Sequence, residues 1–420
     1  MRFLFSALTS HGSLGPAVSI AEQLRQRGHE VAFVTGPAMA PWLEKVGMRR
    51  IPRGPQDGPS FTVEHSANPL DQARQVKHFE HAMKEFPPDV LVGHAMAFGA
   101  VLTGARHQIP TAVIGLAANI LPTEAYQRKL PAELRAYQVV RLHGLQTYEE
   151  FIPERYGRLM ESYNICTEIF WLPKREVPPE QTPLLGDLHL LQSVPELEGE
   201  VELLQPQTHL VGSCAWDFPS ADPQLERWLA KARESGEPIL YTQPGRVFNS
   251  PGFWRPMCEA LGNRPVRVVA STGRMDGELG EVPPNFYVRS HVPQALVLPH
   301  AHGVISSATT TGVLGALTRG LPLLLVPGGG GGEQSDLTLR CLLAGVALHL
   351  HPTEVSAANF GQKVEELLSS DSLRRNARRL QERFTQAPGS AGAATLLERL
   401  GQERRPILRE STVPAVLSVA

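Results

Sequence analysis

Cysteine, net charge and long hydrophobic runs are all scarce in this chain of 420 residues. Its four cysteines are scattered with no Cys-x-x-Cys spacing, which argues against a zinc site and a disulfide framework and favours a reducing compartment. The formal net charge of −2 gives no electrostatic basis for binding nucleic acid or an anionic membrane surface. No apolar run is long enough to span a bilayer, so the composition predicts a cytoplasmic protein without a membrane span.

The N-terminus predicts a buried strand rather than a signal peptide. Its short apolar run carries one arginine, and His11 and Gly12 interrupt it before a signal-peptide core can form. Hydrophobic residues make up 42% of the chain and charged residues 20%, as in globular proteins, and the length favours two or three domains.

Strand–turn–helix units recur along the first half and predict an α/β fold. The predicted strands are residues 2–8, 31–34, 88–92, 111–114 and 208–212. Residues 11–16 form a turn that opens a helix, because apolar residues follow at helical spacing. Residues 52–75 and 120–160 are less regular, and we interpret them as segments that shape a ligand pocket.

A polar segment with prolines, residues 213–223, predicts a domain boundary. A second series follows it, with predicted strands at residues 238–242, 266–270, 285–288, 303–307 and 320–327. We predict an N-terminal domain over residues 1–215, a C-terminal domain over residues 222–400 and a tail over residues 401–420. Both domains are expected to be Rossmann-like.

The most informative segment runs from His291 to Pro327. It predicts a loop, a helix and two buried strands, each strand leading through a turn into a helix, which is how an α/β sheet builds a ligand crevice at its carboxyl edge. The order and spacing resemble the GT-B glycosyltransferases that use nucleotide sugars, in particular the bacterial antibiotic and carotenoid enzymes related to UDP-glycosyltransferases. The resemblance covers residues 1–400, is densest over 241–345 and is thin over 52–87. It implies a GT-B fold, two Rossmann-like domains facing an interdomain cleft, with the acceptor on the first domain and the nucleotide sugar on the second.

The resemblance implies donor-binding roles for His291 and Gln294. In the family, a Val-Pro-Gln motif borders the nucleotide base and ribose, and the residue before it is often a tryptophan that stacks on the base. His291 occupies that position, where an imidazole can stack as well. The alternative is a loop histidine beside a helix start.

The family's phosphate motif is altered here. Ser307 lies where the family has histidine, and Thr309 lies where it has glycine. The hydroxyls of Ser307, Thr309, Thr310 and Thr311, with the helix N-terminus at Gly312, can still donate hydrogen bonds to phosphate. Simple helix capping is the alternative interpretation.

Further donor contacts are implied on two loops. Arg246 replaces the usual Gly-Ser or Gly-Thr hydroxyl and can grip phosphate with its planar guanidinium, although a solvated loop arginine is equally compatible. Glu333 and Gln334 match the acidic–Gln pair that binds sugar hydroxyls. The five glycines before Glu333 lack the Lys-Ser/Thr of a phosphate-binding P-loop.

The acceptor side also departs from the family. Ser13 lies where the family has its histidine or aspartate base, and a serine cannot act as a base at neutral pH. His11 is therefore the candidate base and Ser13 an orienting group, while a structural turn histidine is the alternative for His11. His94 lies in the loop that carries the family's partner aspartate.

Two hypotheses of different classes follow. The first is an inverting, metal-independent transferase that uses a UDP- or dTDP-type sugar as co-substrate, needs no cofactor and modifies a small natural product. The second is a repurposed or inactive GT-B protein that acts as a binding or auxiliary partner or carries out other chemistry, motivated by Ser13, Ser307 and Thr309. The sequence indicates neither the particular sugar and acceptor nor an oligomeric state.

Overall fold

The structure is a computed structural model that describes residues 1–55, 57–62, 68–141, 144–218, 221–244, 251–273, 279–328 and 332–410. Within these residues the strands form two parallel sheets and one short antiparallel hairpin. Helices connect most successive parallel strands, as the short hydrophobic strands require if both faces of a sheet are to be covered. The predicted α/β fold with two Rossmann-like halves is confirmed.

The N-terminal sheet brings together strands from the first half of the chain. Its strands are β1 (Arg2–Ser6), β2 (Glu30–Val34), β3 (Arg49–Arg50), β4 (Val90–His94), β5 (Thr111–Ile114), β8 (Leu188–Leu191) and β9 (Thr208–Leu210), and the hairpin is β6 (Gln138–Arg141) with β7 (Gly144–Thr147). The sheet order is β3-β2-β1-β4-β5-β8-β9. Strands β4, β5 and β8 are buried at every residue, because helices pack on both faces.

The helices of this half include four that overlap segments the sequence left irregular. They are α1 (His11–Gln26), α2 (Ala40–Lys45), α3 (Pro69–Glu85), α4 (Gly99–His107), α5 (Glu124–Lys129), α6 (Ala132–Arg135), α7 (Tyr148–Ile169) and α8 (Pro195–Glu198). Helix α7 starts at a capping box between Thr147 and Glu150, and α3 starts with Asn68 as N-cap and proline at its first position. Both are recognisable start signals.

The C-terminal half repeats the design. Its strands are β10 (Ile239–Gln243), β11 (Arg267–Ser271), β12 (Phe286–Arg289), β13 (Gly303–Ser306), β14 (Leu323–Leu325) and β15 (Ala347–His349), in the order β12-β11-β10-β13-β14-β15. Its helices are α9 (Pro223–Glu234), α10 (Pro251–Leu261), α11 (Gln294–Val297), α12 (Thr310–Leu317), α13 (Gly332–Leu343), α14 (Ala357–Ser369), α15 (Asp371–Gln386) and α16 (Gly389–Glu403).

The last helix does not stay with the C-terminal sheet to which the sequence assigned residues up to 400. In the structure α16 packs on the N-terminal sheet, where Leu397 and Leu400 share an apolar core with Phe3. An ion pair between Arg27 and Glu398, 2.7 Å long, holds its outer face to the end of α1. The apolar stripe of α16 fits either sheet, so its periodicity alone does not identify the partner.

The predicted tail is ordered in its first part. Ile407 is buried in the N-terminal core and its backbone N–H donates to the carbonyl of Asp187 at 3.0 Å. The prediction for residues 411–420 lies outside the described residues.

A buried polar network joins the two halves. Arg155 on α7 donates through Nη1 to Oδ2 of Asp336 on α13 at 2.6 Å, and the hydroxyl of Tyr148 donates to Oδ1 of the same carboxylate at 2.5 Å. Four residues further along α13, Arg340 donates to the carbonyl of Glu198 at 2.9 Å. Buried charges are stable only when they are paired in this way, so this network fixes α13 against the N-terminal domain.

We expect Asp336→Ala to lower the free energy of unfolding by about 3 kcal/mol, because it leaves the Arg155 guanidinium buried without its carboxylate. Urea unfolding followed by circular dichroism measures this. The matched control is Glu365→Ala, which removes the carboxylate partner of the exposed Arg264 and should change stability much less. Equal losses in the two variants would contradict a supporting role for the buried pair.

Candidate functional site

The chain order reverses at one point in each sheet, and these points define where a ligand can bind. In the N-terminal sheet β1 lies between β2 and β4, and in the C-terminal sheet β10 lies between β11 and β13. The connections from β1 and from its neighbour β4 therefore leave in opposite directions and open a crevice at the carboxyl edge. The same argument applies to β10 and β13.

Two histidines border the N-terminal crevice. His11 is the first residue of α1, separated from the end of β1 by four residues, rather than part of a separate turn before the helix. His94 is the last residue of β4. Both side chains line the cavity between the domains.

The C-terminal crevice carries the predicted donor motif. Thr309 is the N-cap of α12, and Gln243 ends β10. Gln294 links β10 to the first turn of α12, because its Nε2 donates to Oε1 of Gln243 at 3.0 Å and to the carbonyl of Thr311 at 3.4 Å. Gly315 on α12 permits this contact, since a Cβ there would lie 2.3 Å from Oε1 of Gln294.

The two crevices face each other across a cavity of about 270 Å³. The first turns of α1 and α12 approach closely there, because a Cβ on Gly12 would lie 3.3 Å from Cγ2 of Thr311. Of the predicted site residues, the cavity is lined by His11, Ser13, His94, His291, Gln294, Thr309, Thr310, Thr311 and Glu333. Ser307, Gly312 and Gln334 are described but do not line it, and Arg246 lies outside the described residues.

His11 lies in an aromatic cluster that spans both domains. Its ring centroid is 4.3 Å from that of Trp42, edge to face, 5.1 Å from that of His291 and 6.1 Å from that of Phe218. Trp42 and Phe218 also contact each other at 5.2 Å. Trp42 lies on α2 and Phe218 lies in the segment between the domains, and neither was predicted as a site residue. No local motif marks them, and only the fold brings them to His11.

Ser13 has a structural task. Its Oγ accepts a hydrogen bond from the backbone N–H of Leu8 at 2.9 Å, and its own N–H donates to Oγ of the N-cap Ser10 at 3.3 Å. These contacts tie the end of β1 to the first turn of α1. The orienting role of Ser13 towards a substrate stays a prediction.

His94 is held in its neutral form. Its Nδ1 accepts from the backbone N–H of Met96 at 3.2 Å, so the ring proton is on Nε2. Burial lowers the pKa of His94 to about 4. At neutral pH this histidine is therefore a hydrogen-bond donor to the cavity and not a cation.

Glu333 contacts the N-terminus of α12. Its Oε1 accepts from the backbone N–H of Thr310 at 3.0 Å and from the Thr310 hydroxyl at 2.6 Å. The same hydroxyl accepts from the backbone N–H of Ala117 in the N-terminal domain at 3.1 Å. Burial raises the pKa of Glu333, although the two bonds from Thr310 oppose this shift. The amide expected to meet phosphate is thus already bonded to a carboxylate of the protein.

Two predicted polar side chains, Ser307 and Gln334, and the neighbouring Ser306 are buried beside or behind this turn. The hydroxyls of Ser306 and Ser307 and both amide atoms of Gln334 have no hydrogen-bond partner among the described residues. Ser306 Oγ lies 2.6 Å from the position of a Cβ on Gly312, against the first turn of α12. Of the predicted acidic–Gln pair, Glu333 lines the cavity and Gln334 does not.

Gln192 is a polar cavity residue that the sequence analysis missed. Its Nε2 donates to the carbonyl of Gly115 at 2.8 Å, while its buried Oε1 has no partner among the described residues. Gln192 directly follows β8, so its position at the carboxyl edge of a buried strand was a usable signal.

The described residues hold neither a metal-binding cluster nor a membrane-spanning helix. They contain no group of three or more His, Cys, Asp or Glu side chains placed to hold a metal ion. None of the helices described is both long and apolar enough to cross a membrane.

Comparisons with known proteins agree with this geometry. Residues 3–115 match the glycosyltransferase family 28 N-terminal domain. The chain is 25% identical to 4'-demethylrebeccamycin synthase of Lentzea aerocolonigenes, over 95% of this chain and 99% of that protein. It is 26% identical to demethyllactenocin mycarosyltransferase of Streptomyces fradiae, over 94% of this chain and 86% of that protein.

Solved structures resemble the chain over nearly its whole length. Spinosyn rhamnosyltransferase SpnG complexed with thymidine diphosphate superposes with a TM-score of 0.69 at 20% identity, covering 95% of this chain and 100% of that one. At this identity the likeness concerns the fold. The match to the family's N-terminal domain and the named relatives support a GT-B nucleotide-sugar glycosyltransferase.

The neutral state of His94 predicts a pH dependence of stability. An unfolded histidine binds its proton near pH 6.5, whereas folded His94 does so near pH 4, so its contribution is complete above pH 6.5 and is lost as the pH falls towards 4. We expect His94→Gln, which cannot titrate, to lose about 2 kcal/mol less stability than the wild type between about pH 7 and about pH 4.5. Urea unfolding of both proteins at both pH values measures the free energies of unfolding. The contributions of the other histidines are the same in the two proteins and cancel in the comparison. Equal acid losses would contradict the assignment.

Proposed function

We propose that this GT-B glycosyltransferase transfers a sugar from a nucleoside diphosphate sugar to a small natural-product acceptor, with inversion at the sugar carbon and without a metal or other cofactor. The observation that carries the proposal is that His11 and the N-terminus of α12 border one cavity. A base and a phosphate-binding helix end on opposite domains are what a single displacement between acceptor and donor requires.

His11 is the proposed general base. It takes the proton of an acceptor hydroxyl as that oxygen attacks C1 of the sugar and the bond from C1 to the diphosphate oxygen breaks. Trp42 and Phe218 pack against the imidazole and limit its contact with water. His94, a neutral donor on the same side of the cavity, can orient the acceptor. Apolar lining from Met96, Leu116 and Trp216 supports an acceptor with a hydrophobic body.

The C-terminal residues are the proposed donor side. His291 and Gln294 would contact the base and ribose, and the hydroxyls of Thr309 and Thr311 with the α12 amides would stabilise the leaving diphosphate. Arg246 remains a proposed phosphate contact from the sequence. Glu333 is proposed to bind sugar hydroxyls, because it lines the cavity and Gln334 does not.

The relatives support the substrate classes. Two are named for products or acceptors of antibiotic type, and a structural neighbour carries thymidine diphosphate. The cytoplasmic location stays a prediction, based on the scattered cysteines.

Nucleotide binding separates this proposal from that of a repurposed GT-B protein. A diphosphate that binds should raise stability by about 2.7 kcal/mol at a hundredfold excess over its dissociation constant. Thermal unfolding with UDP, dTDP and GDP, each beside its nucleoside, measures the effect. No stabilisation by any of the three would favour the repurposed protein.

His11→Ala should reduce turnover by roughly a hundredfold or more, the usual contribution of a general base. Ser13→Ala is the matched control on the same helix turn and should cost much less, because Ser13 bonds only backbone and its neighbour Ser10. Steady-state transfer assays and nucleotide titrations measure turnover and donor affinity separately. Near-normal turnover in His11→Ala would remove His11 from the chemistry.

A further inference from the structure

The N-terminus of α12 already has an internal acceptor. The first-turn N–H of Thr310 donates to Glu333, and that of Gly312 donates to the N-cap hydroxyl of Thr309 at 3.4 Å. The Thr310 hydroxyl donates a second hydrogen bond to Glu333. A side-chain carboxylate therefore holds the position that a phosphate oxygen would take at this helix end.

Buried hydroxyls beside the same turn have no acceptor. Ser306 Oγ, whose residue is 0% exposed, lies against Gly312 in the first turn, and Ser307, next to it in the chain, is 2% exposed. Neither hydroxyl has a hydrogen-bond partner among the described residues. A buried hydroxyl without a partner is destabilising, and an anion with several oxygens at this turn, or an ordered water, would supply the missing acceptor.

We propose that Glu333 is an internal competitor for the diphosphate site, which the incoming donor displaces from Thr310 and which then becomes available to the sugar hydroxyls. This inference rests on the proposed use of a nucleotide sugar. It gives Glu333 two successive partners, first the α12 N-terminus and then the sugar.

The electrostatics favour this exchange. Two anions cannot share one helix N-terminus without strong repulsion at short range. Burial raises the pKa of Glu333 in spite of its two bonds from Thr310, so the charged carboxylate is poorly stabilised where it lies. A diphosphate brings more oxygens to the same donors and leaves the carboxylate free to turn towards the cavity.

The exchange also reaches the N-terminal domain. The Thr310 hydroxyl accepts from Ala117 while it donates to Glu333. When Glu333 leaves, this hydroxyl can donate to phosphate and still accept from Ala117. Donor binding would therefore preserve the contact between the two domains at the cavity wall.

The two possible roles of Glu333 predict different effects of Glu333→Gln on the affinity for a nucleoside diphosphate. If Glu333 only bound sugar hydroxyls, Glu333→Gln would leave the affinity for a nucleoside diphosphate unchanged and weaken only the nucleotide sugar. An internal competitor predicts that Glu333→Gln binds the diphosphate more tightly, because the competing charge is gone while the amide oxygen can still accept from Thr310.

Calorimetric titration of wild type and Glu333→Gln with UDP, dTDP and GDP, and with the matching nucleosides, tests the proposal. We expect the diphosphate that binds to bind at least about fivefold more tightly to Glu333→Gln, with the nucleoside unchanged. The matched control is Asp217→Asn. Asp217 is a carboxylate of the same cavity that instead accepts from the N–H of Ala295 at 2.8 Å, so this variant should change diphosphate affinity much less.

The outcomes separate the two proposals. If the wild type binds a diphosphate and Glu333→Gln binds it equally or less tightly, or if Asp217→Asn tightens it as much, the competitor role is overturned and the proposed function is not. If neither wild type nor Glu333→Gln binds any of the three diphosphates, both the proposed function and the competitor role of Glu333 are overturned. Glu333→Ala, checked for an unchanged melting temperature, should tighten diphosphate binding in the same direction.

Discussion

The backbone N–H groups at a helix N-terminus need hydrogen-bond acceptors, and this requirement determines how the site is built. Helices α1 and α12 belong to different domains, and their first turns meet at Gly12 and Thr311. Each turn carries N–H groups that its own helix cannot satisfy, and both point partial positive charge into the cleft. Ser10, Thr309 and Glu333 supply the acceptors that the protein itself provides. The cleft is therefore suited to an anionic ligand, although the chain as a whole carries little net charge.

The buried network between the domains makes this arrangement specific. Helix α13 carries Glu333 in its first turn and Asp336 one turn later, so the ion pair of Asp336 with Arg155 also sets the position of Glu333. The domain interface and the donor side of the cavity thus share one helix. A change in how the domains pack would alter the cavity through α13 directly, with no need for a longer path of coupled residues.

Much of the fold could be predicted from local patterns. The parallel strands and the turn before α12 could be predicted because short apolar runs with small-residue turns have few other solutions. Helices α3 and α7 were not predicted, although the capping box at Thr147 and Glu150 marks the start of α7. The packing of α16 on the N-terminal sheet could not be predicted, because an apolar stripe on a helix does not indicate which sheet it contacts.

The resemblance to the family implied the loss of the usual histidine and glycine in the phosphate motif. The sequence by itself determined the fold class and the carboxyl-edge positions of His11, His94, Thr309 and Gln294. These follow from residue order, because a residue after a parallel strand must lie at that edge of the sheet. Only the tertiary structure decided that Trp42 and Phe218 pack around His11, that Gln334 is turned away from the cavity, and that Glu333 bonds the α12 N-terminus. Contacts between side chains distant in sequence depend on how two sheets pack, and no local pattern carries that information.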